Sequence, residues 1–151
     1  MATKREIEII MEIAKKEVDK KFQEKGLKFR TYNVCPIDVV PQNKMRMSNA
    51  DGVYYDKKIE IRRALVGEII NVTKQNKHIR VQNLYHFTKL VDTIVHEIGH
   101  YIHDTQFNLE DFELKYVNSY GRKNHKEKFA VAFQEYITEN REKNGMKELL
   151  N

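Results

Sequence analysis

His96-Glu97-Ile98-Gly99-His100 decides how this chain is read, because two histidines four residues apart with a glutamate between them are useful only on a helix. On an α-helix, positions i and i+4 lie one turn apart on one face, so two imidazoles can grip a single Zn²⁺. The pattern alone is not decisive: with six histidines in 151 residues, chance supplies roughly 0.02 such boxes per chain of this composition. Its surroundings carry more weight. Leu84, Phe87, Val91, Ile94, Ile98 and Ile102 recur at three- and four-residue steps, predicting a helix over residues 83–103 packed on a core. At about 100° per residue, His96 and His100 project roughly 160° from that stripe. One face therefore packs, and the opposite face offers two imidazoles to a cleft. Gly99 costs about 1 kcal/mol in a helix interior relative to Ala, which a close approach by another element would explain. His103 shares the imidazole face, but it lies about 10.5 Å along the axis from His96, too far to share an ion with bonds of about 2 Å. It is expected at the solvated surface, as is His86.

A length of 151 residues suits one domain, 1–151, with a real core. The chain is 40% hydrophobic and 32% charged, which fits a folded, soluble protein. No apolar run approaches the ~20 residues of a membrane span. The first 21 residues break their isoleucines with charge, unlike a secretion signal, so a cytoplasmic location is expected. Cys35 is the single cysteine, so neither an intramolecular disulfide nor a cysteine-rich zinc site can form. The net charge of +5 is scattered, with no arginine-rich arm or aromatic-basic platform, and nucleic acid is not an expected partner. Oligomeric state is not legible.

Along the chain, Thr3 and Glu6 have capping-box spacing, and Ile7, Ile10, Met11, Ala14, Val18 and Phe22 predict a helix over 3–25 that stops at Gly26. Short extended segments follow over 27–40, and a loop over 41–52. Residues 53–63 read as a β-hairpin, with Ile59 and Ile61 on one face and Glu60 and Arg62 on the other. A short helix is predicted over 64–74, and a last helix over 125–143 whose Phe129-Ala130-Val131-Ala132-Phe133 segment is apolar all round and so buried.

A catalytic zinc site usually takes three protein ligands and leaves a fourth position for water. Downstream of the box, Asp104, Glu110, Asp111, Glu113, His125, Glu127, Glu135 and Glu139 are available. Asp104, one turn beyond His100, is poorly placed to reach back. Glu127 opens a buried helix, where a carboxylate needs a partner such as a metal ion, and Glu135 competes for the same reason. Glu97 cannot easily join the histidines as a ligand from the adjacent position, yet it can reach a metal-activated water as general base. Asn124 reads as a helix cap.

HEIGH, Ser119-Tyr120-Gly121, Asn124, Glu127 and Phe129-Ala130 together resemble the catalytic domain of anthrax lethal factor and its relatives, the Pro-Pro endopeptidases included. These are gluzincins, in which a Glu on a later helix is the third ligand and a Tyr seven residues before it helps stabilise the oxyanion. Tyr120 and Glu127 have that spacing. The resemblance covers about 91–136. It implies an α+β, zincin-like metallopeptidase core with a small mixed sheet, an HExxH active-site helix and a C-terminal helix carrying the third ligand. It further implies one Zn²⁺ per chain on His96, His100 and Glu127, Glu97 as general base, Tyr120 as oxyanion donor, and a protein or peptide substrate. Val131 departs from the acidic residue that many gluzincins carry four positions after the third ligand. The helix and later glutamate are also similar to the ImmA/IrrE regulatory metallopeptidases, which cleave repressors inside bacteria. A zinc-binding module without activity is the remaining alternative.

Overall fold

Thr3 starts the first helix as its side chain predicts. Its Oγ1 accepts the Glu6 N–H at 3.1 Å, and its own N–H donates to Glu6 Oε1 at 2.8 Å, closing the capping box ahead of α1, Lys4–Glu24. The expected stripe of Ile7, Ile10, Met11, Ala14, Val18 and Phe22 is buried. At the far end Gly26 takes φ +73°, and the Gly26 and Leu27 N–H groups donate to the carbonyls of Gln23 and Phe22 at 2.9 and 3.0 Å. That is a Schellman stop, which a left-handed glycine makes possible.

This computed structural model describes residues 2–47, 50–74, 84–107, 124–141 and 144–150. It is an α+β fold, mostly helical, with one three-stranded mixed sheet. The strands are β1, Ile37–Val40; β2, Gly52–Tyr55; and β3, Lys58–Arg62, in the order β1-β3-β2. β1 runs parallel to β3, and β2 pairs antiparallel with it as the expected hairpin. The hairpin turns on Asp56 and Lys57, both at positive φ (49° and 56°), the backbone that a two-residue type I′ turn requires. Ile59 and Ile61 are fully buried on one face of β3. Glu60, on the other face, is buried as well, with Lys58 Nζ at 3.4 Å. A central strand is covered on both sides, and the lysine two residues away on the same face supplies the charge that a buried carboxylate needs.

The chain divides into two compact units, Met1–Ile94 and Val95–Asn151. In the first, β3 leads directly into α2, Arg63–Lys74, which packs against α1. Asp51 is a junction there. Its carboxylate accepts from the Arg62 guanidinium and meets Lys89 Nζ at 3.3 Å, and its carbonyl accepts the Arg62 N–H at 2.8 Å. Burial pushes the Asp51 carboxyl up, but the hydrogen bonds and charges of Arg62 and Lys89 outweigh it and hold the group below its usual range. Burial likewise pushes the Cys35 thiol up to about 11, so at neutral pH it is a packing group.

Lys89 belongs to α3, Leu84–Ile102, the helix of the HEIGH box. Its Val91, Ile94, Ile98 and Ile102 are buried as expected, joined by Leu90 and Val95. The helix ends in a π-helical turn, His103–Phe107. In the second unit, α4, His125–Glu139, buries Phe129 through Phe133. It stops four residues short of the expected end, because Asn140 adopts φ 57° and caps the helix with its N–H on the Glu135 carbonyl. A further short helix, α5, Met146–Leu150, was not expected. Asn144 ties it to α4, donating to the Ala132 carbonyl at 2.9 Å and accepting the Met146 N–H at 3.0 Å. Among the described residues no helix is long and apolar enough to cross a membrane.

The left-handed backbone at Lys57 yields a direct test. Lys57 is exposed, so Lys57→Gly removes a Cβ from an unfavourable conformation without losing packing, and a stability gain of about 1 kcal/mol is expected. A urea melt of the two proteins measures it; an unchanged or lower midpoint contradicts the turn assignment.

Candidate metal centre

Two helices build the centre, and the residues they bring to it, His96, His100 and Glu127, all belong to the second unit. Ile98 and Ile102 bury one side of α3 and leave His96 and His100 on another, with side chains 16% and 14% exposed. The two rings stand nearly perpendicular, 82° apart in plane with centroids 5.0 Å apart. Glu127 arrives from the first turn of α4. Asn124 sets that turn as its N-cap: its side-chain oxygen accepts the Glu127 N–H at 2.8 Å, and its carbonyl accepts from Lys128 at 2.9 Å.

The carboxylate of Glu127 is shared between the histidines. Oε2 lies 3.1 Å from His96 Nε2, and Oε1 lies 3.0 Å from His100 Nε2. Among the described residues, these three are the one group of His, Cys, Asp and Glu whose ligand atoms gather within 4.8 Å of one another. The arrangement suits an ion. Tetrahedral ligands at about 2.0–2.2 Å from a metal stand about 3.3–3.6 Å apart, within a few tenths of an ångström of the two distances observed. Two imidazoles and one carboxylate form the His₂Glu donor set of catalytic zinc sites, leaving a fourth position for water, and they also suit other first-row divalent ions. Facing an ionised carboxylate, each Nε2 carries its ring's hydrogen and donates it; a bound ion would take the Nε2 lone pairs and leave that hydrogen on Nδ1.

Electrostatics keep Glu127 ionised. Burial pushes its carboxyl up, but hydrogen bonds and charge from His100 and His96 more than reverse this and bring it down to about 2. Glu97 is buried, 6% exposed, and is not one of the gathered ligand atoms. Asp104 is exposed. Glu135, the competing glutamate, is also buried, yet its carboxylate has Arg141 Nε at 3.7 Å and does not join the histidines. Tyr120 lies outside the described residues, as do Ser119, Gly121, Glu110, Asp111 and Glu113.

Gly99 explains how a carboxylate from α4 reaches both imidazoles. A Cβ at position 99 would stand 3.1 Å from the Ala130 Cα and from Phe133 Cδ1, and 3.2 Å from Phe133 Cβ. The close approach anticipated from the glycine is therefore by α4, three residues after Glu127. One expectation is corrected. His103 is buried rather than solvated, 6% exposed, its ring stacked on Phe129. The face opposite the apolar stripe is not an open cleft along its whole length, because α4 covers it at Gly99 and His103. The signal was present in the interior glycine facing a run of small and aromatic residues.

Two outcomes are expected. Gly99→Ala gains about 1 kcal/mol of helix propensity but loses about 1–3 kcal/mol to overpacking against a backbone atom that cannot rotate away. It should melt lower than the parent and bind Zn²⁺ more weakly in chelator competition; equal affinity would show that the approach does not govern the centre. Protonation offers a second check. Glu127 is depressed from 4.5 to about 2, so its contribution is complete above about 4.5 and is lost as pH falls toward about 2. The metal-free parent should lose stability over that range more steeply than Glu127→Gln, and parallel pH profiles would contradict the assignment. Comparison of the chain with protein-family models, with curated proteins and with solved structures finds no match, so the case for a metal centre rests on this geometry.

Proposed function

We propose that this protein is a zinc-dependent endopeptidase with a zincin-like core, and that His96, His100 and Glu127 hold one Zn²⁺ per chain. The observation that carries the reading is the convergence of an HExxH histidine pair and a glutamate from a later helix, one carboxylate oxygen to each Nε2. An ion pair kept only for structure would have no use for Glu97, the box's one acidic residue, beside it on α3.

Zinc, when bound, supplies a Lewis acid that lowers the pKa of a coordinated water toward about 7 and polarises the scissile carbonyl. The chain's own groups handle the protons and the orientation. Glu97 accepts a proton from the attacking water and delivers it to the departing amine, which is why it must stay off the metal. Glu127, ionised at all ordinary pH, would give its carboxylate to the zinc beside the two imidazoles. Tyr120, by the family resemblance, donates a hydrogen bond to the developing oxyanion, a contact whose loss costs about 10²-fold or more. Extended protein or peptide substrates are the expected class.

Three variants separate the roles. Purified parent protein should carry one zinc per chain by elemental mass spectrometry and cleave members of a quenched-fluorescence peptide library. Glu97→Gln should keep the zinc and lose about 10²–10⁴-fold in rate. Glu127→Ala should lose the metal, whereas Glu135→Ala should keep it. Activity in Glu97→Gln equal to that of the parent sinks the peptidase reading, and metal loss from Glu135→Ala alone sinks the ligand assignment.

A further inference from the structure

Gly99 lets α4 come close, but a contact between a glycine and a neighbouring backbone does little to fix how far one helix slides along the other. A slip of one turn is about 5.4 Å, which would carry Glu127 out of reach of both imidazoles. Functional geometry of this kind has to be held within about 0.5 Å. Some side chain must therefore set the register, and the rings beyond the HEIGH box are placed to do so.

His103 follows His100 by three residues, at the point where α3 widens into its π-helical turn. Its ring lies against Phe129, nearly parallel at 10°, with centroids 4.7 Å apart. That is offset stacking, a geometry specific to two flat rings. Phe107, at the end of the same turn, meets the same Phe129 ring at 5.5 Å and 42°. Phe129 is fully buried and stands two residues after Glu127 on α4. The ring that the two side chains hold is thus tied through one short stretch of helix to the carboxylate that completes the metal group.

We propose that His103 is a positioning residue for the metal centre: its stack on Phe129, flanked by Phe107, fixes the register of α4 on α3 and so places the Glu127 carboxylate between His96 and His100. The imidazole acts here as a flat ring and not as a metal ligand. The proposal rests on the metal-centre reading above, and its test keeps the two apart.

Co²⁺ serves as the probe, because its visible absorption reports the geometry of its ligands as well as their occupancy. Metal-free full-length parent, His103→Leu and His103→Phe are titrated with Co²⁺, with circular dichroism to check folding. The expected result is that His103→Leu folds but binds Co²⁺ at least about tenfold more weakly, with a changed visible band, the size of loss typical for groups that orient metal ligands. His103→Phe, which keeps a flat ring, should restore the parent affinity and spectrum. A His103→Leu protein indistinguishable from the parent overturns the proposal. A folded His103→Phe that binds Co²⁺ at least about tenfold more weakly than the parent also overturns it, since the imidazole and not the stack would then matter, and this arm stands even if His103→Leu fails to fold. Failure of the parent itself to take up Co²⁺ or Zn²⁺ overturns the underlying reading, a result no comparison of variants can mimic.

Discussion

Two helices can share a metal only if their backbones come close, and here that approach is a matter of one missing methyl group. A Cβ at Gly99 would meet the Ala130 Cα at 3.1 Å, a contact with main chain that no rotamer change relieves. The glycine sits between His96 and His100 in the sequence, so the place where α4 touches α3 is also the place where the imidazoles stand. Ala130 is the small residue on the facing helix. Replacing either by a larger side chain moves the carboxylate of Glu127, because the distances at stake, 3.0 and 3.1 Å, leave no slack.

Given that approach, charge arranges the rest. One carboxylate satisfies two imidazoles, and each imidazole lowers the cost of burying the carboxylate. This mutual dependence means that neither partner is stable alone in its half-buried place. A metal ion there would need little movement of the heavy atoms, since hydrogen-bonded and metal-bound spacings differ by a few tenths of an ångström. The metal-free site is in that sense already formed, and little ordering of side chains remains for binding to accomplish.

What could be read in the sequence was what neighbours along the chain decide. The capping box at Thr3, the stripe of α1, the hairpin and the extent of α3 follow from spacing within a few residues. The choice of Glu127 over Glu135 needed the family register, because both are acidic positions on the one predicted helix and pattern alone does not separate them. His103 was misjudged because its burial comes from α4, and local pattern shows which residues share a face but not whether another helix covers it. The parallel pairing of β1 with β3 and the return of α5 through Asn144 are likewise long-range facts. Asn140 ended α4 early by adopting a left-handed conformation, which asparagine permits more readily than most residues but does not announce.

Glu127 and Glu135 also show why position on a helix decides which buried carboxylate is available to an ion. Glu127 is in the first turn of α4, behind the Asn124 cap, where the unpaired N–H groups and the positive end of the helix dipole favour negative charge. Its charge is therefore supported by the helix itself, and its oxygens can both be given to the histidines. Glu135 lies near the other end, where the dipole opposes it. It has Arg141 at 3.7 Å as compensation, a guanidinium it shares with Glu139 at 3.5 Å. The same residue type on one helix thus faces two imidazoles at one end and an arginine at the other, and the difference comes from the direction of the backbone.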